Sequence, residues 1–296
     1  MRRIAAITLT LVFAGSAFAR PGSTWLEVGP GARAAALGEA VVAAPLGPSG
    51  AWWNPAGAGI DGGGVELMHA NWWVDGSTAQ HIATTFRTGK IGWGASLHHV
   101  GVSNLELRDG PSATPIDYFD ARDFALGATV SAPVYKQLRA GLSVRYLSED
   151  IYTYHSNGWS MDAGLYLPDA VSGALDLGLA VRHLGDIEGL AGASSDLPTT
   201  VSAGARLRVP VGLETPPSVL FEVSKVRDLN TSVRVGAEVR VLGALDLRGG
   251  WKSGYEGQSL SAGFGLTWRQ WGLDFGYAPF EDDLGSTQRF SLRAAW

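Results

Sequence analysis

No cysteine occurs in the 296 residues, so neither disulfides nor thiolate metal sites can hold this chain together. Charge is scarce as well: Asp, Glu, Lys and Arg make up 17% of the residues, lean for a soluble surface of this size. The formal net charge is −5 and the basic residues are scattered, which argues against nucleic acid as a partner. Long apolar runs are missing after the N-terminus. Residues 4–13 are apolar, but they fall short of the about 20 residues that a membrane-spanning helix needs. Preceded by Arg2 and Arg3 and followed by Ala17-Phe18-Ala19, they read as a secretory leader cleaved after Ala19. The expected organisation is a leader at 1–19, an N-terminal segment at 20–63 and one large β domain at 64–296.

Signatures of catalysis are missing too. A membrane-embedded hydrolase needs a nucleophile, a histidine and an orienting polar group in contact. No G-x-S-x-G stretch occurs. His98 and His99 are adjacent, so on a strand they face opposite sides. His69, His81, His155 and His183 lack the spacing of metal ligands and are expected to be lumen or girdle residues. The glycines of Asp61–Gly64 follow no strand and open no helix, which disfavours a phosphate loop. The sequence therefore predicts no enzyme, no catalytic residue, no metal and no cofactor.

What is present in quantity is glycine, with 40 residues, and tryptophan, with 11. From about residue 64 onward the hydrophobic period is two, the mark of strands with unlike faces. In residues 138–146, Leu138, Ala140, Leu142, Val144 and Tyr146 share one face, while Arg139, Gly141, Ser143 and Arg145 share the other. The pattern recurs at 232–241 and 259–268. One face is almost unbroken in its apolarity, and aromatic residues such as Tyr135, Tyr146, Trp159, Trp251, Trp268 and Trp271 gather near segment ends. A soluble sandwich shows period two as well, but an outward apolar band with aromatic girdles and a polar interior belongs to a transmembrane barrel. Strands are expected near 65–75, 79–88, 91–103, 121–133, 138–149, 158–167, 174–184, 199–209, 218–227, 231–242, 244–252, 258–269, 271–279 and 286–296. The fold class is thus all-β: a 14-stranded antiparallel transmembrane β-barrel, of even strand number like single-chain bacterial outer-membrane barrels.

The links agree with that count. Those at 88–90, 133–137 and 168–173, with Gly243 and Gln270, are short and fall at one end, with the longer 210–217 among them. The longer links 105–119, 149–157, 185–198 and 278–286 fall at the other. Strand parity points Arg139, Arg145, Asp162, Asp176, Arg182, Arg206, Glu222, Arg234, Glu238 and Arg240 into the lumen. Charges of both signs around one ring suggest a paired network joining wall to contents. An arginine-lined path for an anionic head group is the sharper alternative.

Residues 20–63 lack the period of two. The stretch from Gly31 to Ala44 is rich in small residues and weakly helical, and Pro45 and Pro48 break it. The sequence from Val28 to Gly59, containing Gly31, Ala32, Arg33, Gly38, Trp53, Asn54, Pro55, Ala56 and Gly57, resembles the N-terminal signature of the PorV/PorQ family of outer-membrane proteins. There a G-x-x-A-R stretch leads into W-N-P-A-G. The C-terminal stretch 273–296 is similar to that family's ending, and the N-P-A-G turn is shared with FadL-type transporters of hydrophobic compounds. Pro45 and Pro48 stand where family members commonly carry acidic residues, so no ligand role carries over to them.

The resemblance implies a barrel whose N-terminal segment folds back into the lumen as a plug. Asn54 would satisfy backbone groups at the tight turn and Pro55 would direct the chain's exit, while Trp52 and Trp53 would pack on the inner wall. Phe290 and Trp296, on the last strand, resemble the terminal aromatic signal read by the barrel-assembly machinery. The implied location is the bacterial outer membrane, with its lipid as a partner. The expected role is an accessory of a type IX-like secretion system that binds protein cargo or partner proteins through 105–119, 149–157 and 185–198. The alternative is passive transport of a hydrophobic small-molecule ligand.

Overall fold

Stretches in which Val, Leu, Phe and Trp alternate with Gly, Ser and charged residues become strands. In the structure, a computed structural model, residues 22–71, 76–111, 113–188, 194–254, 257–281 and 285–296 are described, and the expected leader lies outside them. The strands are β1 (Gly64–Asn71), β2 (Ser77–Thr88), β3 (Ile91–Leu107), β4 (Asp117–Tyr135), β5 (Leu138–Ile151), β6 (Tyr154–Val171) and β7 (Leu175–Glu188). After a short β8 (Ser194–Asp196) come β9 (Thr200–Arg208), β10 (Ser218–Val226), β11 (Thr231–Val241) and β12 (Leu245–Lys252). The last three are β13 (Leu260–Trp268), β14 (Trp271–Pro279) and β15 (Ser286–Ala295).

β8 apart, each strand pairs antiparallel with its neighbours in sequence, and β1 pairs with β15 from Gly64↔Ala295 to Asn71↔Gln288. The sheet is therefore a closed 14-stranded antiparallel barrel, which leaves no open edge. β8 is a small addition that pairs with the far end of β7, at Asp186↔Asp196.

The outward face carries the apolar set. Leu67, Ile82, Leu126, Leu142, Leu179, Phe221 and Leu266 are exposed there. Aromatic pairs decorate it: Tyr146 meets Trp159 edge to face at 5.4 Å, and Phe275 bridges Phe264 (5.6 Å) and Phe290 (4.9 Å). In water such a belt would be a large liability, whereas lipid makes it a favourable surface.

Strands β3 to β6 run further than their hydrophobic pattern predicts. Residues 105–107 and 117–119 of one expected loop and nearly all of 149–157, another, belong to paired strands, with only 152–153 left as the β5–β6 turn. Added outward residues such as Asp150 and His155 are polar, so the apolar alternation stops where backbone pairing does not. Strand pairing needs only backbone partners, and lipid contact alone demands the apolar face.

A ring of this size encloses more space than its own side chains can fill. Residues 24–58 occupy it. They form a 3-10 turn at Thr24–Glu27, two short helices, α1 (Ala32–Ala36) and α2 (Gly50–Trp53), and a second 3-10 turn at Pro55–Gly57. Most of these residues are buried. The chain enters at the loop end, where Gly22 N donates to Asp196 O, and leaves at the short-turn end, where Gly63 and Trp296 exchange backbone hydrogen bonds.

So close a backbone approach requires a wall without side chains at the contacts. Gly92, Gly141, Gly164, Gly178, Gly250 and Gly276 supply it from six different strands. A Cβ on Gly92 would lie 1.9 Å from Ala58 O, one on Gly178 2.2 Å from Val42 O, and one on Gly250 2.1 Å from Gly38 N. Within the segment Gly31 (φ 94°) and Gly38 (φ 63°) turn the chain through the left-handed region, which glycine alone enters without cost.

Gly141→Val places its side chain where the Pro55–Ala56 peptide lies, 2.3 Å from a Cβ. It is expected to lower stability in detergent by about 1–3 kcal/mol and to open residues 22–63 to protease. Gly249→Ala, whose Cβ meets nothing within 4 Å, is the control and should melt as the parent does. Equal melting of both variants would show that the segment does not rest on the wall.

Candidate functional site

The lumen contents are ordered from the loop end inward. First comes Trp25, whose indole Nε1 donates to Glu149 Oε1 at 2.6 Å and whose ring stacks on His98 with centroids 6.3 Å apart. Glu27 accepts from Thr200 Oγ1 (2.9 Å), and Arg289 Nη1 donates to Gly29 O (2.6 Å). These bonds tie the entry of the segment to β5, β9 and β15.

Below lies an aromatic cluster centred on Trp52. Its ring is 4.8 Å from that of His98, 5.8 Å from His81 and 5.9 Å from His183, and the Arg145 guanidinium sits 4.2 Å above it. His81 and His98 face each other across the β2–β3 register with ring centroids 5.3 Å apart. A bulge at the outer part of β7, where His183 takes φ 58°, turns Arg182 and His183 both inward. Arg182 then covers Trp53 at 5.1 Å. A cavity between Trp52, His81, Ser96 and Arg145 measures only about 10 Å³, room for a single water. Among the described residues no cluster of His, Asp or Glu has the geometry of a metal site.

The third feature is ionic. Glu39, in the turn after α1, lies 3.5 Å from Arg289, 3.6 Å from Lys252 and 4.0 Å from Arg234. Arg234 also reaches Glu222 (3.3 Å), whose other oxygen accepts from Val42 N (2.9 Å). Nearer the short-turn end, Arg248 joins Asp274 (2.5 Å), Glu238 (3.1 Å) and Asp246 (3.3 Å). Arg33 meets the same Glu238 at 2.9 Å. Buried charges of this kind are tolerable only when paired.

The residues of the N-terminal motif all lie in the segment, and most bind the wall. Gly31 N contacts Met68 Sδ (3.2 Å), Ala32 N donates to Ser291 Oγ (3.0 Å) and Gly38 N donates to Ser261 Oγ (3.1 Å). Trp53 Nε1 donates to Pro30 O (3.0 Å). Asn54 accepts from Ala56 N (3.1 Å) and donates to Val42 O (2.9 Å) and Leu165 O (3.0 Å), so one amide closes the turn, crosses the segment and anchors it on β6. Pro55 opens the second 3-10 turn, Ala56 O accepts from Arg139 Nε (3.3 Å), and Gly57 packs under Pro45.

The ten lumen charges divide into local pairs. Arg145 pairs with Asp162, Arg206 stands 3.8 Å from Asp176 and Arg240 joins Asp246 at 2.7 Å. Arg234 with Glu222 and Glu238 with Arg33 complete the charge pairs, while Arg139 and Arg182 contact the segment. Phe290 faces outward, and Trp296 is exposed at the short-turn end. Sequence reasoning missed Glu39 as a hub and Trp25 with Glu149; it expected the histidines as lumen or girdle residues but not three of them gathered around Trp52. Parity on neighbouring strands would have paired His81 with His98, but Trp25 lies in a segment with no period to read.

Neither a known protein family nor a curated protein matches the sequence. Solved structures do. The toluene transporter TbuX of Ralstonia pickettii matches with a TM-score of 0.62 at 14% identity, over 90% of this chain and 98% of that one. The Pseudomonas putida toluene transporter TodX gives 0.58 at 12% identity, over 90% and 96%. A FadL homologue of Pseudomonas aeruginosa gives 0.57 at 15% identity, over 90% and 98%. At these identities the likeness establishes the fold, that of the FadL-type outer-membrane barrel, and does not reach the narrower PorV/PorQ grouping.

Glu39→Gln leaves Arg234, Lys252 and Arg289 facing an uncharged amide. It should cost about 3–5 kcal/mol, the usual penalty for removing one partner of a buried ionic cluster. Arg240→Gln, at a half-exposed pair, should cost about 1 kcal/mol or less. Denaturant melting of the two variants in detergent micelles checks the order, and a smaller effect for Glu39→Gln would refute the hub.

Proposed function

We propose that this chain is a passive outer-membrane transporter of hydrophobic small molecules, in which residues 20–63 form a lumenal plug and residues 64–296 the barrel. The short-turn end is periplasmic and the loop end faces outward, as in single-chain bacterial barrels. The observation that carries the reading is the apolar, aromatic cluster held inside a lumen otherwise lined with paired charges. Trp25, Leu26, Trp52, Leu147, Ile187, Leu197 and Leu220 belong to one buried apolar cluster, part of it from the plug and part from the wall. A barrel of purely structural use has no need to place such a cluster between its two openings. The fold shared with TbuX and TodX, both described as toluene transporters, supports the same reading.

The secretion-accessory reading draws less support. It relied on outer loops able to dock cargo, and one of those three, 149–157, is almost entirely paired strand. The paired state of Arg145, Asp176, Arg234 and Arg248 also favours an ionic network joining wall and plug over a free arginine path. Phe290 and Trp296 retain their expected part in recognition by the barrel-assembly machinery, which the leader would precede by directing export.

Producing the chain in a Gram-negative host and measuring initial uptake of radiolabelled toluene tests the proposal. Uptake is expected to rise several-fold over cells carrying the empty vector. Equal rates, with the barrel demonstrably in the outer membrane, would overturn it.

A further inference from the structure

The outer half of the lumen holds an aromatic chamber whose occupant belongs to the chain itself. Trp25 is buried, its N–H is bonded to Glu149 and its ring lies nearly parallel to His98, at an interplanar angle of 18°. Leu147 stands between Glu149 and Arg145 on the same inward face of β5. The element carrying this indole is slight. It is one 3-10 turn with no side-chain cap, entered through Ser23 in the left-handed region at φ 54°. Residues 29–58, by contrast, are held by the glycine-lined wall and the ion pairs.

The buried aromatic cluster beneath Trp25, and the wall beside Glu149, also carry unpaired polar atoms. Trp52 Nε1 and both ring nitrogens of His81 and of His183 are buried without a hydrogen-bond partner. So is Ser156 Oγ, directly across the β5–β6 register from Glu149. Glu27 stands 4.0 Å from His183 Nε2, beyond hydrogen-bond reach. Buried donors and acceptors left unpaired are costly, and Ser156 Oγ, beside the Glu149 carboxylate, is one that a polar ligand seated there would also meet.

We infer that the Trp25 chamber is a binding site for a small aromatic molecule bearing a ring N–H or O–H, of the indole or phenol class, and that Trp25 is its intramolecular stand-in. The ligand's ring takes the place of the indole over His98, its donor goes to Glu149, and residues 23–28 are displaced towards the loop end. The inference deepens the transport reading and rests on it for the direction of traffic: a ligand arriving from outside would meet this chamber before the plug's tightly held part. Glu149 gives such a molecule a hydrogen bond that a bare hydrocarbon lacks, so the chamber prefers it while leaving passage of toluene open.

The test uses the full chain in detergent micelles and two probes of one shape, indole and benzothiophene, the second lacking the N–H. Trp25→Ala should melt lower than the parent, and indole should restore the melting temperature. Indole should bind this variant about tenfold or more tightly than benzothiophene, the scale of one hydrogen bond to a carboxylate. In Trp25→Ala/Glu149→Ala that preference should vanish. Absence of rescue by indole, or an equal response to both probes while Glu149 is present, overturns the site. Should Trp25→Ala fail to fold, hydrogen exchange on the unaltered chain decides: indole should accelerate exchange of residues 23–28 and benzothiophene should not, and unchanged exchange refutes displacement. Toluene uptake in cells is a separate readout. Rescue by indole without uptake keeps the site and removes transport, whereas uptake without rescue removes the site alone.

Discussion

The close approach of the N-terminal segment's backbone to the barrel wall is the contact on which the rest of this structure depends. Fourteen strands enclose a lumen that side chains from the wall cannot fill, so part of the chain must enter it. Entry is possible because Gly92, Gly141, Gly164, Gly178, Gly250 and Gly276 leave the wall bare where the segment passes. A strand glycine normally weakens a sheet by leaving nothing to pack. Here the missing side chain is replaced by another stretch of backbone, and the loss becomes a contact.

Charge gives the seated segment its register. Apolar packing of alanines and valines would accept many placements, but Glu39 can satisfy Arg234, Lys252 and Arg289 in only one, and Arg33 can meet Glu238 in only one. Buried ion pairs contribute little net stability compared with apolar packing, while breaking one is severe. Their main effect here is therefore specificity of placement. The same ions leave the Trp25 and Trp52 region as part of one buried apolar cluster in a largely charged interior, the setting in which an aromatic ligand is proposed.

Much of the barrel was legible in the residues. Period two located every ring strand, because lipid outside and a polar lumen inside impose opposite demands on successive residues. Parity assigned Arg145, Asp162, Glu222 and Arg234 to the lumen for the same reason. The pattern failed at the outer parts of β3 to β6, where residues such as Asp150 and His155 project outward beyond the apolar belt and the alternation stops although pairing continues. It also passed over β8, whose three residues are too few to carry a period.

From composition and alternation alone came an all-β chain, a closed even-numbered ring, an inside and an outside, and an N-terminal segment unlike the rest. These follow from local rules: a side chain's face is set by its place along the strand, and glycine, proline and asparagine mark turns wherever they occur. Only the folded structure decided which charge meets which, that Glu39 faces three cations, that Trp25 reaches a carboxylate 124 residues away, and that three histidines surround Trp52. Those partners are brought together by ring closure and by the path of a segment without periodicity, and neither leaves a trace in the spacing of residues along the chain.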